Sequence, residues 1–204
     1  MSKEIELTVS DELEVRKEKL TTYSEKGINP FGYSFDRSHK IADILSENDG
    51  LEAGTKTENR VQIAGRIMAK RGHGKAIFGN IKDDTGAIQL YASVNDLADQ
   101  FELFGMLDIG DIVGVEGIIF CTRRGEITVD VRSFQLLTKS LRPLPLPKED
   151  NDGNIYDEFN DPELRYRQRY VDLIVNPNVK ETFIKRTAIT NSIRSFLNDK
   201  GYLE

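Results

Sequence analysis

The chain has 204 residues, a formal net charge of −6 at pH 7 and 30% charged residues. This length suffices to bury a hydrophobic core, and no apolar run approaches the roughly 18 residues of a membrane-spanning helix, so we expect no membrane segment. The single cysteine, Cys121, excludes an internal disulfide and makes a reducing cytoplasm the expected compartment. The two histidines, His39 and His73, have no partners at metal-ligand spacing, so we expect no metal site.

Positive charge is clustered despite the negative total. Between Arg60 and Lys82 there are six lysines and arginines and no acidic residue. Because attraction to phosphate is screened within roughly 8 Å at physiological salt, a local cluster matters more than the net charge. The stretch is a candidate nucleic-acid surface, with a solvated loop as the alternative.

The N-terminal part, residues 1–59, is predicted to be a helix followed by a turn-rich extension. Asp11 can cap a helix that Gly27 ends, which places the helix over residues 11–26. A short second helix is predicted from Ile41 to Leu45.

The central part, residues 60–140, alternates apolar and polar residues in five short stretches, with one helical stretch between the third and the fourth. The strands are predicted over Val61 to Met68, Ala76 to Lys82, Ala87 to Ala92, Asp111 to Phe120 and Glu126 to Leu136, and the helix over Asp96 to Phe104. Three strands, a helix and two strands is the order of an OB-fold barrel, whose second and third strands usually carry the oligonucleotide site. The predicted fold class is therefore mainly β with flanking helices.

One aromatic residue stands on the polar side of its strand. Alternation buries Ile77 and Ile81 and leaves Phe78 beside Asn80 on the outer face. An outward ring can stack on an unpaired base, which is worth roughly 1–3 kcal/mol. The alternative is a ring covered by a loop, since exposed apolar side chains are common.

Two polar residues are predicted on the same face. The strand after the turn at residues 83–86 buries Ile88 and Leu90, which turns Gln89 outward, and it should pair with the preceding strand as a hairpin. The last strand turns Glu126 outward, together with Thr128 and Asp130. A ring, an amide and a carboxylate on one face suit a splayed-out nucleobase, although both polar groups can instead be merely solvated.

The C-terminal part begins with a linker over residues 141–160, which is Pro-rich and then acidic. Asp161 is a helix cap followed by Pro162 at the first helical position, and Asn176-Pro177 ends that helix. A second helix is predicted from about Asn178 to Lys200.

The second helix of the region 161–204 carries an apolar stripe that needs a partner. Packing back on the barrel is one solution, and pairing with another chain is the other. The stripe consists of Ile189, Ile193, Phe196 and Leu197.

Three segments resemble one family. The run from Asp161 to Ile174 resembles the hinge signature of bacterial-type class II lysyl-tRNA synthetases, and Leu137 to Pro145 resembles the barrel exit of that family. Arg186 to Glu204 resembles the beginning of class II motif 1, a dimer-interface element. The resemblance covers nearly the entire chain.

The resemblance implies that the barrel grips a tRNA anticodon. By position, Phe78 matches the aromatic that stacks on the central anticodon base, Gln89 the amide that reads its edge, and Glu126 the carboxylate that completes the pocket. Nearby cations would contact backbone phosphates, although surface cations beside a turn are more often only solvated. The candidate nucleic-acid-binding residues are, in full, Phe78, Gln89, Glu126, Arg66, Lys70, Arg71 and Asn80.

The resemblance also implies which partners the chain binds. The expected partner is the anticodon stem-loop of tRNA(Lys), with a homodimer through the apolar stripe as a further expectation. The lysine, aspartate and asparagine anticodons share a central uridine, but the run Arg-Tyr-Arg-Gln-Arg-Tyr from residue 165 to 170 resembles the lysine enzyme.

This sequence stops inside motif 1, before motifs 2 and 3, which bind ATP in the family. We therefore expect no catalytic residue and no cofactor in these 204 residues, with ATP and Mg²⁺ needed only by the full-length enzyme.

Two alternatives stay open. One is a free-standing OB-fold module that binds single-stranded nucleic acid without sequence preference, and the hinge and motif 1 segments argue against it. The other is a purely structural dimeriser acting through the stripe from Ile189 to Leu197.

Overall fold

Five strands close into a ring whose order is β1-β2-β3-β5-β4. The strands are β1 (Lys56–His73), β2 (Ala76–Lys82), β3 (Ala87–Ser93), β4 (Ile112–Cys121) and β5 (Ile127–Thr138). The neighbours are antiparallel except β3 and β5, which run parallel and complete the ring. The predicted five-stranded barrel with flanking helices is therefore confirmed.

The computed structural model describes residues 9–149, 155–156 and 159–203. The chain divides into two compact units, with the boundary between Pro143 and Leu144. None of the helices within the described ranges is long and apolar enough to cross a membrane.

The first strand is much longer than predicted. β1 extends beyond Val61 and Met68 at both ends because its first part pairs with β4 and its second part with β2. Arg66 pairs with both neighbours, and the register with β2 shifts just after it, between Ile67 and Ala69. One long strand therefore serves two sides of the barrel.

Apolar side chains of all five strands fill the barrel interior. Ile77, Ile81, Ile88 and Leu90 are buried as alternation predicts. Thr128 and Asp130 of β5, which were predicted to turn outward, are buried. Thr128 contacts Gln89 of the neighbouring β3, and the Asp130 carboxylate contacts Arg132, so this part of the outward face is covered.

Two helices precede the barrel, α1 (Val9–Glu25) and α2 (Ile41–Glu47). α1 begins before Asp11, so this residue lies in the first turn and does not cap the helix as predicted. The helix docks on the barrel through Tyr23, which is fully buried and donates a hydrogen bond from its hydroxyl to the Leu103 carbonyl at 2.6 Å.

The segment between β3 and β4 forms two short helices where one was predicted. They are α3 (Val94–Leu97) and α4 (Gln100–Gly105). Ala98 separates them with a φ of +45°, a left-handed conformation that a continuous helix excludes. Ser93 caps α3 by accepting a hydrogen bond from the Asp96 amide at 3.2 Å.

The second unit begins with a two-stranded ribbon, β6 (Lys148–Glu149) and β7 (Ile155–Tyr156). Residues 150–154 and 157–158 of the predicted acidic linker lie outside the described residues. Three helices follow, which are α5 (Pro162–Arg167), α6 (Arg169–Val175) and α7 (Pro177–Asp199).

The cap of the first of these helices is confirmed, because the Asp161 carboxylate accepts a hydrogen bond from the Leu164 amide at 2.8 Å. The predicted single helix up to residue 176 is interrupted at Gln168, whose ψ of 53° is not helical. The stripe of α7 stays largely uncovered within this chain, since Ile189, Ile193, Phe196 and Leu197 are between 40% and 62% exposed.

Candidate nucleic-acid interface

The β2–β3 hairpin holds an aromatic pair on the outer face of the barrel. Phe78 lies directly opposite Tyr91, and the two ring centroids are 5.1 Å apart with the ring planes tilted by 53°. The turn is held by Asp83, whose carboxylate accepts a hydrogen bond from the Gly86 amide at 2.8 Å. A rigid turn of this kind fixes the register, and the register fixes which rings meet.

The amide and the carboxylate of the predicted site are in contact. The Gln89 amide nitrogen Nε2 donates to Glu126 Oε2 at 2.7 Å. The Thr128 hydroxyl donates to Gln89 Oε1 at 3.1 Å, because β3 and β5 place these two residues side by side. Because an ionised carboxylate only accepts hydrogen bonds, Glu126 determines that the amide nitrogen of Gln89 faces it, and the amide oxygen then faces Thr128.

The two polar residues differ in exposure. Gln89 is only 7% exposed, whereas Glu126 is exposed and precedes β5 at the end of the β4–β5 turn. The backbone amide of Glu126 donates to the Thr122 hydroxyl at 3.0 Å, which anchors that turn. The amide, which was predicted on the open outer face, is therefore almost fully covered, and Glu126 is the exposed member of the pair.

Two further predicted residues lie beside this pair. Asn80 is directly opposite Gln89 in the hairpin. Arg71 is directly opposite Phe78, and its guanidinium carbon lies 5.6 Å from the Phe78 ring centroid. The structure therefore brings together five of the predicted residues, which are Phe78, Gln89, Glu126, Arg71 and Asn80.

The remaining two predicted residues have their charged groups elsewhere. Arg66 lies opposite Lys82, and its Nη1 donates to the Gly110 carbonyl at 2.7 Å. The ammonium group of Lys70 donates to the carbonyls of Gly105, at 2.6 Å, and Leu107. In this structure both charged groups contact the end of α4 and the segment that follows it, apart from the other five residues.

The surroundings of these two cations change their acidity. Burial lowers the pKa of Lys70 from 10.5 to about 8, with Asp108 opposing that shift. Burial also lowers the pKa of Arg66, and the charge of Asp111 opposes it. The carbonyl contacts therefore hold groups that are partly removed from water.

The sequence analysis did not single out two members of this surface, Phe120 and Lys56. Phe120 of β4 meets Tyr91 edge to face with centroids 5.9 Å apart, and Lys56 lies 5.8 Å from the Phe120 centroid. Phe120 stands between buried Ile119 and buried Cys121, so the alternation that singled out Phe78 also applies to it. Lys56 lies outside the predicted first strand, and no local pattern marks it.

The turn before Glu126 adds further positive charge. Arg123 and Arg124 are both exposed there. Within the described part of the chain, no group of three His, Cys, Asp or Glu side chains is arranged to hold a metal ion. The surface thus combines rings, an amide, a carboxylate and cations, which is the composition expected of a single-strand binding face.

Two family models match the chain. Residues 61–137 match an OB-fold nucleic-acid-binding domain, and residues 161–204 match the class II tRNA synthetases for D, K and N. The first match coincides with the barrel, and the second with the last three helices.

Curated relatives match over nearly the entire chain. A lysine–tRNA ligase of Carboxydothermus hydrogenoformans is 52% identical over 94% of this chain and 37% of the relative. The lysine–tRNA ligase of Pelotomaculum thermopropionicum is 52% identical over 94% of this chain and 36% of the relative. That of Oceanobacillus iheyensis is 46% identical over 96% of this chain and 39% of the relative. The chain spans a little over a third of the length of these relatives. By these similarities the chain matches the N-terminal part of the lysine–tRNA ligases, with their OB-fold anticodon-binding domain and the start of their class II synthetase domain.

Proposed function

We propose that this chain binds the anticodon loop of tRNA(Lys) and holds its central uridine on Phe78. Gln89 and Glu126 read the edge of that base. The observation that carries the proposal is the hydrogen bond between Gln89 and Glu126 beside the Phe78 ring. It joins a stacking platform to a donor and an acceptor on one outer face.

The chemistry of the pair favours uracil over cytosine. Gln89 Nε2 has a second N–H beyond the one given to Glu126, and Glu126 keeps one carboxylate oxygen free of Gln89. Uracil offers a carbonyl oxygen to the first group and its N3–H to the second. Cytosine offers an unprotonated N3 at the same place, which a carboxylate repels, so the pair discriminates by about 1–3 kcal/mol.

When the base binds, the Phe78 ring exchanges its contact with Arg71 for a contact with the base. A cation over an exposed ring is worth about 0.5–1 kcal/mol, whereas base stacking on an aromatic is worth about 1–3 kcal/mol. A base therefore displaces Arg71 from Phe78. The displaced guanidinium then becomes available to a backbone phosphate, a group that Arg can bind through two parallel hydrogen bonds.

The choice of the lysine tRNA rests on the relatives. They are named lysine–tRNA ligases, and their similarity extends through the hinge run at residues 165–170. The recognition proposed here requires no cofactor from this chain. We place the protein in the cytoplasm, where tRNAs are charged.

We further propose that α7 pairs with a second copy of this chain. Its apolar stripe, which is half exposed within one chain, supports this proposal. An exposed contiguous apolar face of this kind is costly unless another surface covers it.

A titration with anticodon stem-loops tests the central-base pocket. We expect the loop with a central uridine to bind more tightly than its central-cytidine version, and Phe78→Ala to weaken the uridine loop by about 1–3 kcal/mol. Fluorescence anisotropy with labelled RNA measures both differences.

Tyr33→Ala is the matched control, because Tyr33 is 99% exposed and lies outside this surface. It should leave binding unchanged. Equal binding of both loops would support the free-standing, non-selective module instead. If neither loop binds, an RNA-binding role is refuted. The remaining alternative is then a purely structural dimeriser that acts through α7.

A further inference from the structure

Three aromatic rings form a continuous row on the outer face of the barrel, namely Phe78, Tyr91 and Phe120. Successive centroids are 5.1 and 5.9 Å apart. The proposed uridine pocket uses the first ring with the amide and carboxylate beside it. Phe120 lies at the other end of the row and has no part in that pocket.

The two ends of the row have the same construction. Arg71 lies over Phe78 at 5.6 Å, and Lys56 lies over Phe120 at 5.8 Å. A cation over a partly exposed ring makes a weaker contact than a stacked base does, so a base can displace it. Phe120 and Lys56 are therefore equivalent to Phe78 and Arg71. In each pair the ring can stack on a base, and the cation that the base displaces can contact a phosphate.

A buried carboxylate lies under the Lys56 end of the row. Asp130 is opposite Tyr91 on β5, and its Oδ2 lies 2.7 Å from Arg132 Nη2 and 3.5 Å from the Lys56 ammonium. Its other oxygen, Oδ1, is buried without a hydrogen-bond partner among the described residues. Because a buried acceptor without a donor is unfavourable, this end of the row has a hydrogen-bonding position that the described protein groups leave unfilled.

We propose that Phe120 and Lys56 form a second nucleotide subsite, which holds a nucleotide directly next to the central one. Its base stacks on Phe120, and Lys56 contacts its phosphate. This inference rests on the proposed function, since it takes the RNA strand to be held at Phe78. Asp130 keeps Lys56 in place before the RNA binds. The nucleotide in this subsite comes from the same unpaired loop, because successive unstacked bases of a single strand can stack on successive aromatic rings.

Abasic stem-loops separate the two subsites. For the wild-type chain, removing the central base or one particular flanking base should each weaken binding about tenfold. Phe120→Ala should bind the intact loop about tenfold more weakly and lose nothing further when that flanking base is removed. It should still lose affinity when the central base is removed, whereas Phe78→Ala should show the opposite pattern.

The outcomes distinguish failure of this inference from failure of the proposed function. If no flanking abasic loop weakens wild-type binding, or if the Phe120→Ala loss disappears with the central abasic loop, the second subsite does not exist while the uridine pocket stands. If neither the central nor a flanking base matters, both fall. Phe120→Leu retains apolar volume without a ring and should behave as Phe120→Ala does, and thermal unfolding of both variants separates lost stacking from lost folding.

Discussion

In the proposed site, the neighbours of Gln89 determine the orientation of its amide. A carboxamide by itself is ambiguous, since its oxygen and nitrogen ends have nearly the same shape. The Glu126 carboxylate only accepts, so the amide nitrogen faces Glu126 and the amide oxygen faces the Thr128 hydroxyl. The selectivity of the proposed site therefore resides in three side chains that act together.

Replacing the acceptor tests this at the level of one residue. Glu126→Gln keeps the shape of the side chain and removes its charge, so it can present either an oxygen or an N–H to the base. We expect the preference for central uridine over central cytidine to fall about tenfold, which corresponds to about 1.4 kcal/mol. Competition titrations with the two stem-loops measure that preference.

Glu116→Gln is the control for this substitution. Glu116 is also a carboxylate on the barrel, but its side chain lies near Arg60 and Ser133. Its removal should not alter the preference. An unchanged preference in Glu126→Gln would show that the carboxylate does not read the base.

At the level of elements, the parallel contact between β3 and β5 creates the site. It places Gln89 beside Thr128 and Tyr91 beside Asp130. Hairpins between strands that follow each other in the chain do not bring these residues together. The parallel contact also buries Thr128 and Asp130, so these two side chains contact Gln89 and Lys56 from the protein side and are not themselves exposed. The alternation within one strand cannot predict this pairing, because β3 and β5 each show the same alternation whether or not they pair.

The helix α7 carries the prediction that belongs to this level. We expect wild-type chains to self-associate as concentration rises and Ile193→Lys to stay monomeric, because a charge in the middle of the stripe cannot be buried cheaply. Sedimentation velocity over a concentration series measures the change. Asn191→Lys adds the same charge on the opposite side of the helix and should sediment like the wild type; a monomeric wild type at all concentrations would contradict the pairing.

At the level of the whole molecule, the net charge and the proposed ligand have the same sign. The chain carries −6, and RNA is a polyanion, so long-range attraction cannot drive the encounter. Binding has to depend on a few local cations near the rings, such as Arg71 and Lys56. Their contribution is read from the salt dependence of binding.

A salt titration ranks the cations. Each contact to a single-strand phosphate should change the slope of log K against log salt by about 0.7. We expect Arg71→Gln to reduce the slope by about this amount, and Arg66→Gln to change it little because the Arg66 guanidinium is bound to the Gly110 carbonyl. The phosphate contact first predicted for Arg66 stays a prediction, and equal slope changes in the two variants would favour it.

Local pattern accounts for much of the fold and for part of the site. Period-two alternation predicted the strands and the outward position of Phe78, because side-chain direction along a strand is a local property. Phe120 shows the limit of that approach, since its importance comes from a Tyr91 contact across three strands.

By itself, the sequence determined the order of strands and helices, the outward ring and the family resemblance. Only the tertiary structure decided that Lys56 and Phe120 extend the aromatic row, that Arg66 and Lys70 bind carbonyls, and that Asp130 is buried. The physical reason is that these contacts join residues far apart in the chain, and their register is set when the barrel closes.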